Sequence, residues 1–442
     1  MSRVLRSGAA ALATAVALGA AGCGGGTEVP GSGSAAGSST SLSGQTVEVA
    51  ATWSGTEQAN FQAVLDAFAK KTGATVKYTS GGDDMAALIN SRLAGGAPPD
   101  VALIAQPGVI AEFARKGAIK PVTGAAATAM DANYSPAWKQ LGMVDGQLYG
   151  IPFKVANKSV VWYRTEQFAQ AGVQPPTTWE EFVTVTRTLA DAGINPMAVP
   201  GGDGWTLTDW FENVYLRVAG PEKYAQLAAH KLPWTDPTVV EALKILGEYW
   251  AMPRTVQGGS SGALQLGFTQ SVADVFGEKP KSAMLFEGDF VGAEITKLGK
   301  VKVGETAKFF DWPSIKGSGP AVVTAGDQAV AFKDTPGAVA LMEFLASPEA
   351  AAQMAAKGGF LSANKNLDLA QYPDDTIRAL ATSVVKADLL QFDLSDLTPQ
   401  AFGGGTSASM WKLLQDFLAA PTDAAGIAQK LEDAAKRDFG SK

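Results

Sequence analysis

The chain has 442 residues, 46% hydrophobic and 18% charged, which is too long for one ordinary core and suits two lobes of average size. Lys and Arg number 36 against 43 Asp and Glu, a net charge of −7 with no basic run, so nucleic acid is not expected as a partner. One Cys and one His rule out a disulfide framework and leave a Cys/His zinc site or a Ser-His-acid triad almost nothing to draw on; no metal or cofactor is expected.

Arg3 and Arg6 precede an uncharged, small and apolar stretch from Gly8 to Gly22, which reads as a secretory signal over residues 1–22. It ends Ala20-Ala21-Gly22-Cys23, which resembles a lipobox, with Ala20 where that pattern usually has Leu. Cys23 is therefore the expected lipidation site and the expected link to a membrane. Residues 24–44 are mostly Gly, Ser, Ala and Thr, a flexible leash of ~25 Å root-mean-square reach.

The alternation in Gln45–Thr52 predicts a strand, and Phe61, Val64, Leu65 and Phe68 predict a helix over 56–71. A second strand (Thr75–Thr79), a second helix (Met85–Leu93), a short buried strand (101–105) and a helix over Val109–Arg115 follow. This alternation predicts a parallel sheet covered by helices. Asp145-Gly146 predicts a hairpin turn before a strand-like run, Lys154–Tyr163. Thr178-Trp179-Glu180-Glu181 predicts a capping box, and Asp236-Pro237 a helix start. Strand character returns at 283–286, 307–310 and 328–332. Helices fit 337–346, 348–356, 374–386, 407–419 and 424–437, and no internal repeat is present. His230 is expected at the end of a helix, and Gly403–Ser407 as a tight approach to an N-cap at Ser407.

In open α/β sheets ligands sit beyond the carboxyl ends of strands, so those positions come first. They hold Trp53 and Glu57, then Asp83 and Asp84, then Gln106. Later come Lys154; Trp205, Asp209 and Trp210; Glu287 and Asp289; and Asp327 and Gln328. Rings with carboxylates and amides suit a sugar, whose apolar face packs on an aromatic while its hydroxyls need donors and acceptors. A phosphate would ask instead for Arg clusters or Gly-rich helix starts. Each position also has a structural reading. Asp83 and Asp84 would cap the helix at Met85, Glu57 would complement a helix dipole, Asp289 would cap a helix over 290–298, and Lys154 would be a surface charge. Trp162, Trp179 and Trp250 fall at core spacing and read as packing; Trp53 and Trp205 follow strand or Gly breaks and read as ligand platforms; Trp210 fits either.

The ordered segments ATWSGTEQANFQAVLDAFAKKTGATVKY, GGAPPDVALIAQPG, DGQLYGIPFKVANKSVVWYR, PPTTWEEF, KSAMLFEGDF, AGDQAVAF and PGAVALMEFLASPEAAAQM resemble the family 1 extracellular solute-binding proteins of ABC importers, over nearly all of 45–442. AQPGVIAEFARKGAIKPV, GWTLTDWFENVYLRVAGPEKY, GGFLSANKNLDLAQYPDD and FDLSDLTPQAFGGGTSASMW resemble the α-glucoside-binding branch, from which Glu287–Phe290 departs. The resemblance implies an α/β, two-lobed periplasmic-binding-protein-like fold with a ligand cleft between lobes joined by a hinge. It places the first lobe at 45–153 plus 326–365 and the second at 154–325 plus 366–442. It implies a carbohydrate ligand, delivery to permease subunits of an importer, and a monomer. Trp53, Glu57 and Gln106 would reach the ligand from one lobe, and Trp205, Asp209 and Glu287 from the other. A secreted glycoside hydrolase is the rival from another class; it would need two carboxyl groups about 5–5.5 or 6.5–9.5 Å apart across a bond. A glycerophosphodiester, amino sugar or peptide is the rival cargo on the same fold.

Overall fold

A computed structural model describes residues 41–358, 360–386 and 390–440. The signal segment, Cys23 and the leash up to residue 40 lie outside the described residues. The described residues form one compact unit built on two main sheets.

The first sheet takes β1 (Thr46–Ala51), β2 (Thr75–Ser80), β3 (Val101–Ile104), β6 (Gly150–Asn157), β11 (Val322–Ala331) and β12 (Leu390–Phe392). Between β3 and β6 lies a small hairpin, β4 (Met143–Val144) and β5 (Gln147–Leu148). Its turn residues Asp145 and Gly146 both have positive φ, 48° and 84°, as a tight primed turn requires. Strands β1, β2 and β3 are parallel, so their carboxyl ends open at one edge. β11 carries β6 along one side and β12 then β3 along the other. The second sheet runs β10 (Ala307–Asp311), β7 (Val160–Arg164), β9 (Met284–Phe286), β8 (Met197–Ala198).

The predicted elements form where their patterns place them. Helix Gly55–Thr72 buries Phe61, Val64, Leu65 and Phe68 and stops at Gly73, whose φ of 79° only glycine adopts cheaply. Thr178 and Glu181 make the reciprocal capping box of helix Trp179–Asp191, and Asp236 caps Pro237–Ala251. Several features differ from the sequence reading. The run 154–163 is two strands, broken at Lys158-Ser159, because there the chain leaves one sheet for the other. β12 and the helix Gly124–Asn133 carry no clear pattern in the sequence, being short or rich in alanine. His230 does follow a helix, with φ 49°, but is largely buried, its Nε2 3.2 Å from Glu432. The residue at the N-cap of helix Ser409–Ala419 is Ala408 rather than Ser407.

Three segments pass between the sheets side by side: Lys158-Ser159, the run from β10 into β11, and the chain leaving β12. Lys158 N donates to Val323 O at 2.9 Å, Asp393 N to Thr324 O at 2.7 Å, and Trp312 N to Ser159 O at 2.8 Å. These crossings are the hinge region of the two-lobed fold.

Candidate functional site

A cavity of about 480 Å³ opens between the two sheets. The carboxyl ends of the parallel strands supply one wall: Trp53 after β1, Asp83 after β2 and Gln106 after β3, with Glu57 from the first helix turn. Lys154 on β6 and Asp327 on β11 add to it. Their registers meet at a β-bulge, where Asp327 pairs with Lys154 but Gln328 pairs with Pro152. A bulge turns a side chain out of the regular alternation, and here it lies beside the cavity. The opposite wall holds Asp203 and Trp205, Phe268, Phe290, Trp411, and Asp393 with Asp396 beyond β12.

Trp53 and Trp205 thus face one shared space. Trp53 is backed by Phe61 at 4.8 Å and Phe153 at 6.4 Å, which fix its ring. Trp205 stands with Phe268 at 5.7 Å and Phe290 at 6.1 Å. Asp203 Oδ2 accepts from Phe268 N at 2.6 Å, tying the start of helix Phe268–Phe276 to this wall.

Both cavity lysines are committed to acids. Lys154 pairs with Glu57, and its ammonium lies 5.6 Å from the Trp53 ring and 5.5 Å from Phe290. Burial works against that charge, but Glu57 and Asp327 outweigh it and hold the lysine above its ordinary pKa. Lys158 lies 2.7 Å from Asp393, 3.0 Å from Asp209, and 5.2 Å from the Trp205 ring. Its pKa too stands well above the ordinary value, burial being overcome by Asp209 and Asp393.

Beneath Lys158 is a buried acid cluster. Asp209, Glu212 and Asp393 bring oxygens within 4.8 Å of one another. Glu212 accepts from Leu394 N (2.7 Å), Ser395 N (3.0 Å) and the Tyr224 hydroxyl (2.9 Å). The Lys158 ammonium is the cation of this cluster. Asp209 is pushed up to about 8 by burial, despite Lys158. Glu287 lies against it, fully buried, and neither of its carboxyl oxygens receives a hydrogen bond. Burial first, and then Asp209, pushes Glu287 well above the carboxylate range.

Of the residues singled out in the sequence, Trp53, Glu57, Asp83, Gln106, Lys154, Trp205 and Asp327 line the cavity. The others do not. Trp210 is core, ringed by Tyr249, Phe286 and Trp312, because it falls on the inner face of helix Trp205–Ala228. Asp209 and Glu287 sit behind Lys158 in the hinge region. Asp289 is fully buried and accepts from Asn157 N at 2.6 Å; burial raises it to about 7 against the pull of that amide. Its side chain ties β6 to the second lobe and does not cap the helix that follows. Gln328 is buried, donating to Leu141 O at 3.1 Å. Asp84 is exposed, bonded to Thr406, and neither it nor Asp83 makes a capping bond. Sequence reasoning missed Lys158, Asp203, Phe268, Phe290, Asp393, Asp396 and Trp411. Asp393 and Asp396 follow a three-residue strand, too short to mark itself, and Phe290 passes for a core residue beside Asp289.

The family model for bacterial extracellular solute-binding proteins matches residues 52–352. The osmoprotective compounds-binding protein GgtB of Synechocystis sp. is 35% identical over 371 residues, covering 82% of this chain and 86% of its own. The alpha-glucosides-binding periplasmic protein AglE of Rhizobium meliloti is 33% identical over 411 residues, covering 89% and 88%. Among solved structures the bacterial solute receptor AcbH superposes with a TM-score of 0.78 at 21% identity, over 89% of this chain and 99% of that one. The receptor GacH of Streptomyces glaucescens gives 0.73 at 17% identity, over 90% and 99%. These last two share the fold. The family binds solutes and is not one of enzymes. With two sheets, three crossings and one cavity between them, and with a family match over most of its length, this chain belongs to the bacterial extracellular solute-binding proteins.

Proposed function

We propose that this protein captures an α-glucoside or a related small saccharide and hands it to the permease of an ABC importer, as a monomer held to the membrane through lipid on Cys23. The observation that carries this is the shared cavity: Trp53 and Trp205, from opposite walls, with carboxylates between them and both lysines already paired. Rings offer platforms to the apolar face of a pyranose, and ionised acceptors bind its hydroxyls strongly. A cavity of about 480 Å³ at interior packing density holds about two sugar rings. A glycerophosphodiester is disfavoured, because no cavity lysine lacks an acid partner. The α-glucoside assignment draws on the relatives AglE and GgtB, whose names refer to alpha-glucosides and osmoprotective compounds.

The lobes would divide at the crossings of Lys158, Val323 and Asp393, at about 45–157 plus 322–392 and 158–321 plus 393–440 rather than at 153, 325 and 365, since β6, β11 and β12 pair in one sheet, and would close on the cargo about those crossings. A thermal-shift panel across α-glucosides, other sugars and phosphodiesters tests the assignment, since a ligand stabilises the state it binds. Stabilisation by a phosphodiester and by no glucoside would overturn it. Recovery of the neutral glucoside uncleaved after binding would set the protein apart from a hydrolase, and label from radioactive palmitate, lost in Cys23→Ala, tests the anchor.

A further inference from the structure

We propose that the cavity wall at Asp396 is a subsite for a protonated amine, so that the cargo class includes α-glycosides bearing an amino group. This rests on the cavity being the cargo site. Asp396 lies on the short helix Leu394–Leu397, is 7% exposed and lines the cavity. Its backbone N–H is held by Asp393 at 3.1 Å, yet among the described residues no donor reaches its carboxylate. A carboxylate so nearly buried on a cavity wall, with no protein donor, keeps little water and is open to a donor that a ligand brings.

The surroundings offer no spare cation. Asp393 on its own turn, Asp209 on the helix Trp205–Ala228 and Asp327 on β11 all act on Asp396 electrostatically, with Lys158 as the one positive group among them. Glu212, on that same helix, is occupied by Leu394 N and Ser395 N. On the packed helix Pro107–Arg115, Glu112 is occupied by Gln400 N. Lys158 itself is engaged by Asp209 and Asp393. Burial, and next the charge of Asp393, accordingly push Asp396 well above the carboxylate range, which favours its protonated form in the empty protein. An ammonium on the ligand takes that proton's place: the carboxyl gives its proton to solvent, and a charge-assisted hydrogen bond forms between ammonium and carboxylate. A neutral hydroxyl can accept from the carboxyl group without releasing anything. An anionic substituent would meet only acids and committed lysines.

Calorimetry on the full chain distinguishes these cases, using trehalose and maltose as neutral parents, the amino-deoxy analogues of trehalose with the amine at each ring carbon in turn, and trehalose phosphate. Each is run in two buffers of different ionisation enthalpy. One amino analogue should bind about tenfold tighter than trehalose, with release of about one proton, and the phosphate at least about tenfold weaker. In Asp396→Asn the ratio of amine to parent affinity should fall to about one. Should that variant not fold, the proton count of the unaltered protein decides. Parents that bind while no amine binds tighter or releases a proton would overturn the subsite and leave the glucoside reading standing. Amines that bind where neither parent does would support the subsite and overturn the neutral-glucoside reading. An Asp396→Asn variant that keeps the preference would remove Asp396 from it.

Discussion

At the scale of single residues, the cavity separates groups that face cargo from groups that hold the groups that face cargo. Trp53 and Trp205 are of the first kind. Replacing either ring with Ala should weaken glucoside binding by about 1–3 kcal/mol, roughly five- to 150-fold, as read by calorimetry. Equal affinity in both variants would exclude the shared-cavity reading. Lys158 is of the second kind as well as the first. Lys158→Met strands the charge of Asp393 in a buried cluster, and should cost about 3–5 kcal/mol in urea unfolding. Three buried acids around the cavity make a pH prediction whose sign is unusual. Asp209 is raised to about 8, Asp289 to about 7 and Asp327 to about 6, burial leading in each case. The folded protein therefore keeps protons that the unfolded chain has lost above about pH 4. The stability these groups contribute is complete below the unfolded carboxyl pKa and is lost progressively as pH rises from about 4 through the folded values of about 6 to 8, by up to about 1.4 kcal/mol per pH unit for each group titrating. Asp393, held below its ordinary pKa by Lys158 despite burial, acts in the opposite direction and only in acid. Glu287→Gln gives Asp209 a neutral donor, so stability measured by urea unfolding should fall less between about pH 5 and pH 8 than in the native sequence.

At the scale of elements, close approach matters more than propensity. Helix Pro107–Arg115 lies so near the turn after β12 that a Cβ on Gly108 would stand 2.0 Å from Thr398 O. Gly108→Ala should therefore force the two apart and cost about 1–3 kcal/mol by denaturant unfolding, whereas an Ala on a helix surface would be neutral or favourable. The same contact explains part of what the sequence conceals. Periodicity marked helix Gly55–Thr72 and the capping box at Thr178 because those signals are local, carried by residues within one or two turns. Strand β12 has three residues and its pairing partner 68 positions earlier, Val322 with Leu390, so nothing near it in the chain announces it. Asp393 and Asp396 inherit their place from that strand, and they were illegible for the same reason. Trp210 was ambiguous because helix Trp205–Ala228 is buried on nearly every side in its first three turns, which erases the usual polar stripe.

At the scale of the molecule, cargo binding and lobe closure about the three crossings are, on the proposed reading, one equilibrium. A ligand touching both walls stabilises the closed arrangement by its differential affinity and nothing more. Cargo at about a hundred times its dissociation constant should add about 2.7 kcal/mol to unfolding stability and reduce the radius of gyration seen by X-ray scattering. An unchanged radius at saturation would mean that one wall alone binds. The sequence by itself determined the alternation that builds a parallel, helix-covered sheet, the strand ends where Trp53, Asp83 and Gln106 stand, and the mixture of rings and acids, because strand periodicity, turn chemistry and composition are properties of neighbours along the chain. Only the tertiary structure decided that Asp209 and Glu287 lie behind Lys158 rather than before cargo, that Asp393 and Asp396 join the cavity, and that both lysines are committed. Burial and pairing across hundreds of positions depend on which surfaces meet, and the order of residues does not carry that.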